Sequence, residues 1–335
     1  MNHQEFSSLL AQKRLPSVLF FDGPEEYLKE TALRDLRRAL LPEGLEDLNE
    51  IRLDSPDAGE IIAAAETLPF MADRRLVFLR DYPAVVGRGE ADEKLLDYLP
   101  QVPSTAIILF YCVLPVRQKK IRNAVQKLGG LVEFKPLGDR ELTSFVTGAF
   151  HDHGRECDAR TADLLVFTSG RDLNLLLGEI AKIASFHPED SHVHPDDVRT
   201  LATPSSESRV FEMVDAILSC NESKAFSLLR NLLLNGEKRF MILGLLLRQF
   251  RLMQHVKIMQ YEKRSTAEIA AALGMGAWAA QQYIRQAASY TGGQVKKAVA
   301  LCLETDLNVK SGVFREEGAL ETLMIRLLQL RGNGK

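Results

Sequence analysis

Apolar residues are grouped in two ways along the chain, and the change between them falls near residue 138. Before it, short continuous apolar runs alternate with segments whose apolar residues recur every three or four positions. The runs Ser17–Asp22, Leu48–Leu53, Leu76–Leu79, Thr105–Cys112 and Leu131–Phe134 predict five strands. Most are apolar at successive positions, which marks a parallel sheet covered on both faces. Glu25–Leu41, Ala58–Glu66, Asp92–Leu99 and Gln118–Leu128 carry helical spacing. In the first of these, Leu28, Ala32, Leu33, Leu36 and Leu40 share a face, and Pro42 and Gly44 stop the helix.

Beyond Pro136-Leu137-Gly138 no further strand is expected. Arg140–His153, Asp158–Thr168 and Asp172–Ser185 predict three helices. A polar loop at Phe186–Asp197 and a brief helix at Pro195–Leu201 lead to a linker at Thr203-Pro204-Ser205-Ser206. From Glu207 to Leu330 the pattern is helical throughout. Glu237–Glu262 is one long helix, with Phe240, Leu243, Leu247, Phe250 and Met253 expected in the core. Ser265-Thr-Ala-Glu268 is a capping box whose helix stops at Gly274. Ala277–Tyr290, Gln294–Val309 and Glu317–Leu330 complete the bundle. The fold class expected is α/β followed by all-α: an α/β domain over 1–138, a small helical domain over 139–206 and a helical bundle over 207–335.

The 335 residues are 46% hydrophobic and 26% charged, which suits a folded globular chain rather than a disordered one. The 42 Lys and Arg against 45 Asp and Glu leave a net charge of -3, so coating nucleic acid by bulk charge is excluded while a local basic face is not. Cys112, Cys157, Cys220 and Cys302 are far apart and form no CxxC pair, so neither a zinc site nor a disulfide framework is indicated. No apolar run approaches the ~18 residues of a membrane-spanning helix. Met1–Lys13 carries Glu5 and lacks the apolar stretch of a signal peptide. A cytoplasmic address without membrane contact is therefore expected.

A sheet-first domain followed by helices suggests a nucleotide-driven machine, and the turn after the first strand tests this. A phosphate-binding loop needs several glycines, a Lys and a Ser or Thr for magnesium. The turn here is Asp22-Gly23-Pro24-Glu25-Glu26-Tyr27, with one glycine, a proline that lacks an N–H, and two carboxylates. The third strand ends in Arg80 and Asp81 rather than the carboxylate pair that would hold metal and orient water. The fourth ends at Tyr111-Cys112, without a water-orienting Asn or Thr. Intrinsic ATP hydrolysis, a bound cofactor and a catalytic residue are thus not expected. His187, His192 and His194 lie near Asp190, but read as a solvated polar loop rather than a metal site. No GxSxG, HExxH or kinase signature is present.

Several strings resemble a known family, in order, across nearly the whole chain. They are Val18-Leu-Phe-Phe-Asp-Gly-Pro-Glu-Glu-Tyr-Leu28, Leu68-Pro-Phe-Met-Ala-Asp-Arg-Arg-Leu-Val-Phe-Leu-Arg80 and Val132-Glu-Phe-Lys-Pro-Leu137. Asp172-Leu173 with Glu179-Ile-Ala-Lys182, Val210-Phe-Glu-Met-Val-Asp-Ala-Ile217, Leu246-Leu-Arg-Gln-Phe-Arg251 and Asp306-Leu-Asn-Val-Lys310 follow. Together they are similar to the delta subunits of bacterial DNA polymerase III. The resemblance implies an AAA+ core, a small lid and a helical collar that joins a hetero-pentameric clamp loader. It also implies a subunit without a working ATPase site that grips the ring-shaped sliding clamp (the beta subunit), so that the ATP-driven loader can place it on primed DNA. Polymerase chemistry, the nucleotidyl transfer of the whole holoenzyme, is not expected of this chain itself.

Leu68, Phe70 and Met71 are the candidate clamp-binding residues. Pro69 pushes the chain out of helical geometry just before them. Two adjacent bulky apolar residues on a loop cannot easily both turn inward, and an aromatic beside a Met suits a partner's apolar pocket. The family places a hydrophobic pair at this position. The alternative is that Phe70 caps the local core and Met71 alone is exposed. The densest basic stretch, Pro115–Arg122, offers Arg117, Lys119, Lys120 and Arg122 as candidate DNA contacts, or else as the solvated face of a helix with Ile121 and Val125 inward. Trp278 and Tyr283 are either interface anchors or interior residues of the bundle. Two other functions remain open to the sequence: an active AAA+ ATPase acting on DNA or protein complexes, and a helical adaptor with no role in replication.

Overall fold

Five strands, β1 (Val18–Asp22), β2 (Glu50–Arg52), β3 (Arg75–Arg80), β4 (Ala106–Tyr111) and β5 (Leu131–Glu133), form one parallel sheet in the order β2-β3-β4-β1-β5. The computed structural model describes residues 1–87, 93–186 and 191–332. It divides into two compact units, Met1–Pro136 and Leu137–Lys335. The sheet lies in the first, and its strands alternate between two apolar layers. Val18, Phe20, Val77, Leu79, Ile108 and Phe110 join one layer with Ile61, Leu95, Ile121 and Val125 of the helices Ala58–Glu66, Glu93–Tyr98 and Lys120–Lys127. Leu19, Phe21, Leu76, Phe78, Ile107 and Leu109 join the other, with Leu33 and Leu36 of the helix Glu26–Leu40. Continuous apolar strands are what a sheet buried on both faces demands.

Four local elements differ from the sequence expectation. The start of the chain is a capped helix, His3–Ala11, whose Phe6 is fully buried in the second layer and meets Phe21 edge-on at 5.2 Å. Leu48 and Asn49, expected to open the second strand, instead belong to a helical turn, Glu46–Asn49. The strand begins only at Glu50, because the Asn49 side chain donates to the Leu45 carbonyl and holds the turn closed. A short helix at Pro83–Val86 follows β3, and a 3₁₀ turn at Leu99–Gln101 precedes β4. Asp92, expected to open a helix, lies outside the described residues.

The first turn after β1 is tight. Gly23 has φ 121°, and a Cβ there would sit 2.2 Å from the Phe134 carbonyl oxygen. At the start of β2 the Glu50 carboxylate accepts from both Arg37 nitrogens at 2.9 and 2.7 Å and from Arg52 at 2.8 Å. Burial raises the Glu50 pKa, and the two guanidinium groups more than offset this, leaving it below the ordinary carboxylate value.

The second unit is helical throughout its described residues. The helices Asp139–Asp152, Ala159–Ser169, Leu173–Ala184 and Pro195–Leu201 precede Ser206–Leu218, Glu222–Leu234 and the long Arg239–Tyr261. Thr266–Leu273, Ala277–Ala288, Gly292–Lys310 and Glu316–Gly332 follow, the last broken at Glu317 and Gly318. The sequence suggests a boundary at 206, yet both sets of helices belong to one unit. Phe167 of the earlier set meets Phe211 and Trp278 of the later set edge-on, at 5.0 and 5.2 Å. Phe240, expected in the core, is exposed, whereas Leu243, Phe250 and Met253 are buried. A buried polar cluster fixes the bundle: Gln249 donates to Gln286, which donates to the Phe211 carbonyl and to Asp215.

Gly23→Ala is expected to destabilise the first unit by at least about 2 kcal/mol, since overpacking costs roughly 1–3 kcal/mol and a strained backbone a similar amount. Hydrogen exchange of the β1 and β5 amides reads this directly. Glu50 has a depressed carboxyl pKa, so its contribution to stability is complete above the ordinary carboxylate range and is lost as the pH falls through the depressed value. The urea midpoint of the wild type should therefore fall more steeply on acidification than that of Glu50→Gln.

Candidate functional site

The loop 67–74 runs from the end of the helix Ala58–Glu66 to the start of β3, at the amino-terminal edge of the sheet. The helix stops at Thr67, whose hydroxyl donates to the Ala63 carbonyl at 2.8 Å. Leu68, Phe70 and Met71 are 75, 53 and 78% exposed, so the alternative in which Phe70 turns into the core is not the arrangement found. An extended chain would send Phe70 and Met71 to opposite faces. Met71 breaks that alternation with a left-handed φ of 51°.

Two buried polar side chains, Asn49 and Arg75, and the half-buried Arg74 hold this loop. The Asn49 amide accepts from the Phe70 N–H at 2.8 Å and donates to the Phe70 carbonyl at 2.9 Å. Arg75, which is buried, donates to the Thr67 carbonyl at 3.1 Å, and Arg74 donates to the Leu15 carbonyl at 2.9 Å. Asp73 and Lys13 form an exposed ion pair at 3.8 Å, which contributes little. The result is a fixed backbone that presents three apolar side chains to solvent. Asn49 escapes a sequence reading: asparagine is poorly suited to a strand, which flags the position, but its partner lies 21 residues away.

The opposite edge, where a nucleotide would be sought, is filled by the chain's own side chains. Lys29 is fully buried; its ammonium donates to the Cys112 carbonyl at 2.6 Å, pairs with Glu26 at 2.7 Å and lies 5.4 Å over the Tyr111 ring. The Tyr111 hydroxyl donates to Glu26 at 2.5 Å, and burial first, then that carboxylate, raise its pKa far above the ordinary value. Burial pushes the Cys112 thiol up to about 12, so it stays protonated and unreactive. Asp81, at the end of β3, accepts from the Val113 and Leu114 amides at 2.8 and 2.9 Å. Lys29, Glu26, Tyr111 and Asp81 at the carboxyl ends of the strands are thus each bonded within the protein itself. Lys29 could have been found from sequence, since it falls three and four positions before Ala32 and Leu33 on the buried stripe.

The four candidate DNA contacts are not equivalent. Arg117, Lys119 and Lys120 are exposed. Arg122 is half-buried and ties the ends of β1 and β5 together, pairing with Asp22 and Glu133 at 2.7 Å each, so it does not belong to a free basic face. Trp278 and Tyr283 are half-buried within the second unit, where Tyr283 meets Phe211 edge-on at 5.3 Å. In the histidine-rich stretch, His192 lies 3.0 Å from the Glu156 carboxylate, while His187 and Asp190 are outside the described residues. Among the described residues no helix is long and apolar enough to cross a membrane.

Comparison with known proteins agrees with this architecture. A family model described as "DNA polymerase III, delta subunit" matches residues 19–135, and one described as "DNA polymerase III delta subunit, C-terminal domain" matches residues 207–327. The chain is 24% identical over 318 residues to the DNA polymerase III subunit delta of Bacillus subtilis, spanning 92% of this chain and 91% of that one. It is 25% identical over 171 residues to the probable DNA polymerase III subunit delta of Aquifex aeolicus, spanning 50% and 49% of the two chains. The solved Bacillus subtilis DNA clamp loader delta protein superposes over 98% of this chain and 99% of its own, with a TM-score of 0.54 and 22% identity, which shows a shared fold. A parallel sheet domain with helices after it is the fold class the sequence led to, and with two matched regions in order along its length, the chain belongs to the DNA polymerase III delta subunit family.

Proposed function

We propose that this chain is the clamp-gripping subunit of a clamp loader, inserting Phe70 and Met71, flanked by Leu68, into an apolar pocket of the sliding clamp and favouring the open form of the ring. The observation that carries this reading is the exposure of three apolar side chains on a loop whose backbone is pinned by Asn49, Arg74 and Arg75. Large apolar side chains held out in water at an ordered site fit a partner surface better than a core. Burying Phe70 and Met71 contributes on the order of 3–6 kcal/mol before costs, at ~1.5–3 kcal/mol for each. Association itself costs ~4–15 kcal/mol, so the pair acts as an anchor within a larger contact. It opens the ring only by as much as it binds the open form better than the closed one.

The filled edge beside β1 supports a chain that leaves ATP hydrolysis to other subunits. Residues 139–206 would then serve as a lid and 207–335 as a collar joining the neighbours of a hetero-pentamer. Exposed Leu303 and Leu307, one turn apart on the helix Gly292–Lys310, suit that contact. Arg117, Lys119 and Lys120 are the remaining candidates for contact with primed DNA.

Phe70→Ala with Met71→Ala is expected to abolish binding of the purified clamp while leaving the strand amides protected in hydrogen exchange. A double variant that binds the clamp like the wild type would overturn the proposal. Replacing Arg117, Lys119 and Lys120 together by Gln should flatten the dependence of log K on log salt for the loader on primed DNA, by about 0.9 for each duplex phosphate that the three cations neutralise in the wild type. An unchanged slope would assign the stretch to a solvated surface.

A further inference from the structure

The Asn49 side chain has no contact with solvent, and all its bonds run to backbone. Its Nδ2 donates to the carbonyls of Leu45 and Phe70, at 3.1 and 2.9 Å, and its Oδ1 accepts from the Phe70 N–H at 2.8 Å. The opposite orientation of the amide would set oxygen against two carbonyls and nitrogen against an N–H, so the bonds themselves fix which atom is which. One side chain thus supplies Phe70 with both partners that a neighbouring strand would supply. The helical turn Glu46–Asn49, which replaces the expected start of the second strand, brings the amide to that place.

Resting on the function proposed above, we infer that Asn49 is the positioning residue of the clamp-binding loop: by pinning the Phe70 backbone it orders Phe70 and Met71 before the clamp arrives. The ordering cost is then met in folding and not in binding. Phe70 and Met71 are next to each other, Met71 holds a left-handed φ, and neither side chain is packed in the core. Little else in the loop fixes their direction, because Arg75 and Arg74 act on Thr67 and Leu15 and not on Phe70 itself. Freeing one ordered residue corresponds to about a tenfold loss of affinity.

The test compares Asn49→Ala, Phe70→Ala, the two combined, and Phe70→Ala with Met71→Ala, each titrated with purified sliding clamp. Hydrogen exchange is followed at the Phe70 amide and at the amides of β1, β3 and β4. In Asn49→Ala the strand amides should stay protected, the Phe70 amide should lose protection, and the clamp dissociation constant should rise about tenfold. Because part of what Asn49 orders is the Phe70 side chain, the same substitution in the Phe70→Ala background, where only Met71 is left to order, should cost less; a residue that merely supports the fold would cost the same in both. Should Asn49→Ala fail to fold, Asn49→Asp, of equal volume, carries the comparison: it keeps the acceptor for the Phe70 N–H and sets a carboxylate oxygen against the Phe70 carbonyl. An unchanged dissociation constant in a folded variant, or an equal loss in both backgrounds, overturns the inference. Wild-type binding by the variant lacking both Phe70 and Met71 side chains would refute the proposed function instead, and exchange at the Phe70 amide still reports whether Asn49 holds the loop.

Discussion

Burial of the sheet on both faces is the constraint from which the rest of the first unit follows. With apolar layers on either side of β1, β3 and β4, no functional group can project from a sheet face without opening the core. Chemistry and recognition are confined to the two rows of strand ends and the loops that leave them. In open α/β sheets the carboxyl ends of the strands are the usual place for a ligand. Here that row is occupied from within. Lys29, Glu26 and Tyr111 form one closed set of bonds beside β1 and β4, Arg122 bridges β1 and β5, and Asp81 holds the backbone beyond β4. The amino-terminal row carries the exposed loop instead.

The filled edge has its own energetics. A fully buried ammonium is costly unless its donors are satisfied, and Lys29 finds a carbonyl, a carboxylate and an aromatic face. Removing Glu26 or Tyr111 would leave that charge poorly compensated. The same closure withdraws Lys29, the one lysine of the helix Glu26–Leu40, from any ligand.

Most of the strands were legible because continuous apolar runs are a short-range signal. Val18–Phe21 and Ile107–Phe110 need no knowledge of the fold to be recognised. The loop carrying Phe70 and Met71 was legible too, since Pro69 and the polar Asp73-Arg74-Arg75 bracket them, but the sequence leaves open whether Phe70 faces solvent or the core, which its 53% exposure decides. What escaped depends on partners distant in sequence. Asn49 and Phe70 are 21 residues apart, Lys29 and Cys112 are 83 apart, and Arg122 and Asp22 are 100 apart. Arg122 reads as one more cation of a basic run until the sheet brings Asp22 and Glu133 to it. The helix His3–Ala11 is an intermediate case: Phe6, Leu9 and Leu10 carry the spacing, but nine residues give a weak helical signal, and it is held by the Asn2–Glu5 capping box together with packing of Phe6 against the sheet.

Rigidity bears on the proposed function more than affinity does. A ring that opens presents one apolar pocket in two geometries, and the loop biases the ring only through the difference between its two binding free energies. A flexible loop would adapt its side chains to either geometry and lose that difference even while binding well. A loop whose backbone is fixed at Thr67 and Phe70 follows the pocket poorly, so a change in pocket shape becomes a change in binding free energy. Equal tightness for both forms would shift nothing. In the proposed function, the buried amide and guanidinium under an otherwise exposed apolar loop would therefore be what lets a modest apolar contact, on the order of a few kcal/mol, act on the partner's conformation and not only hold it.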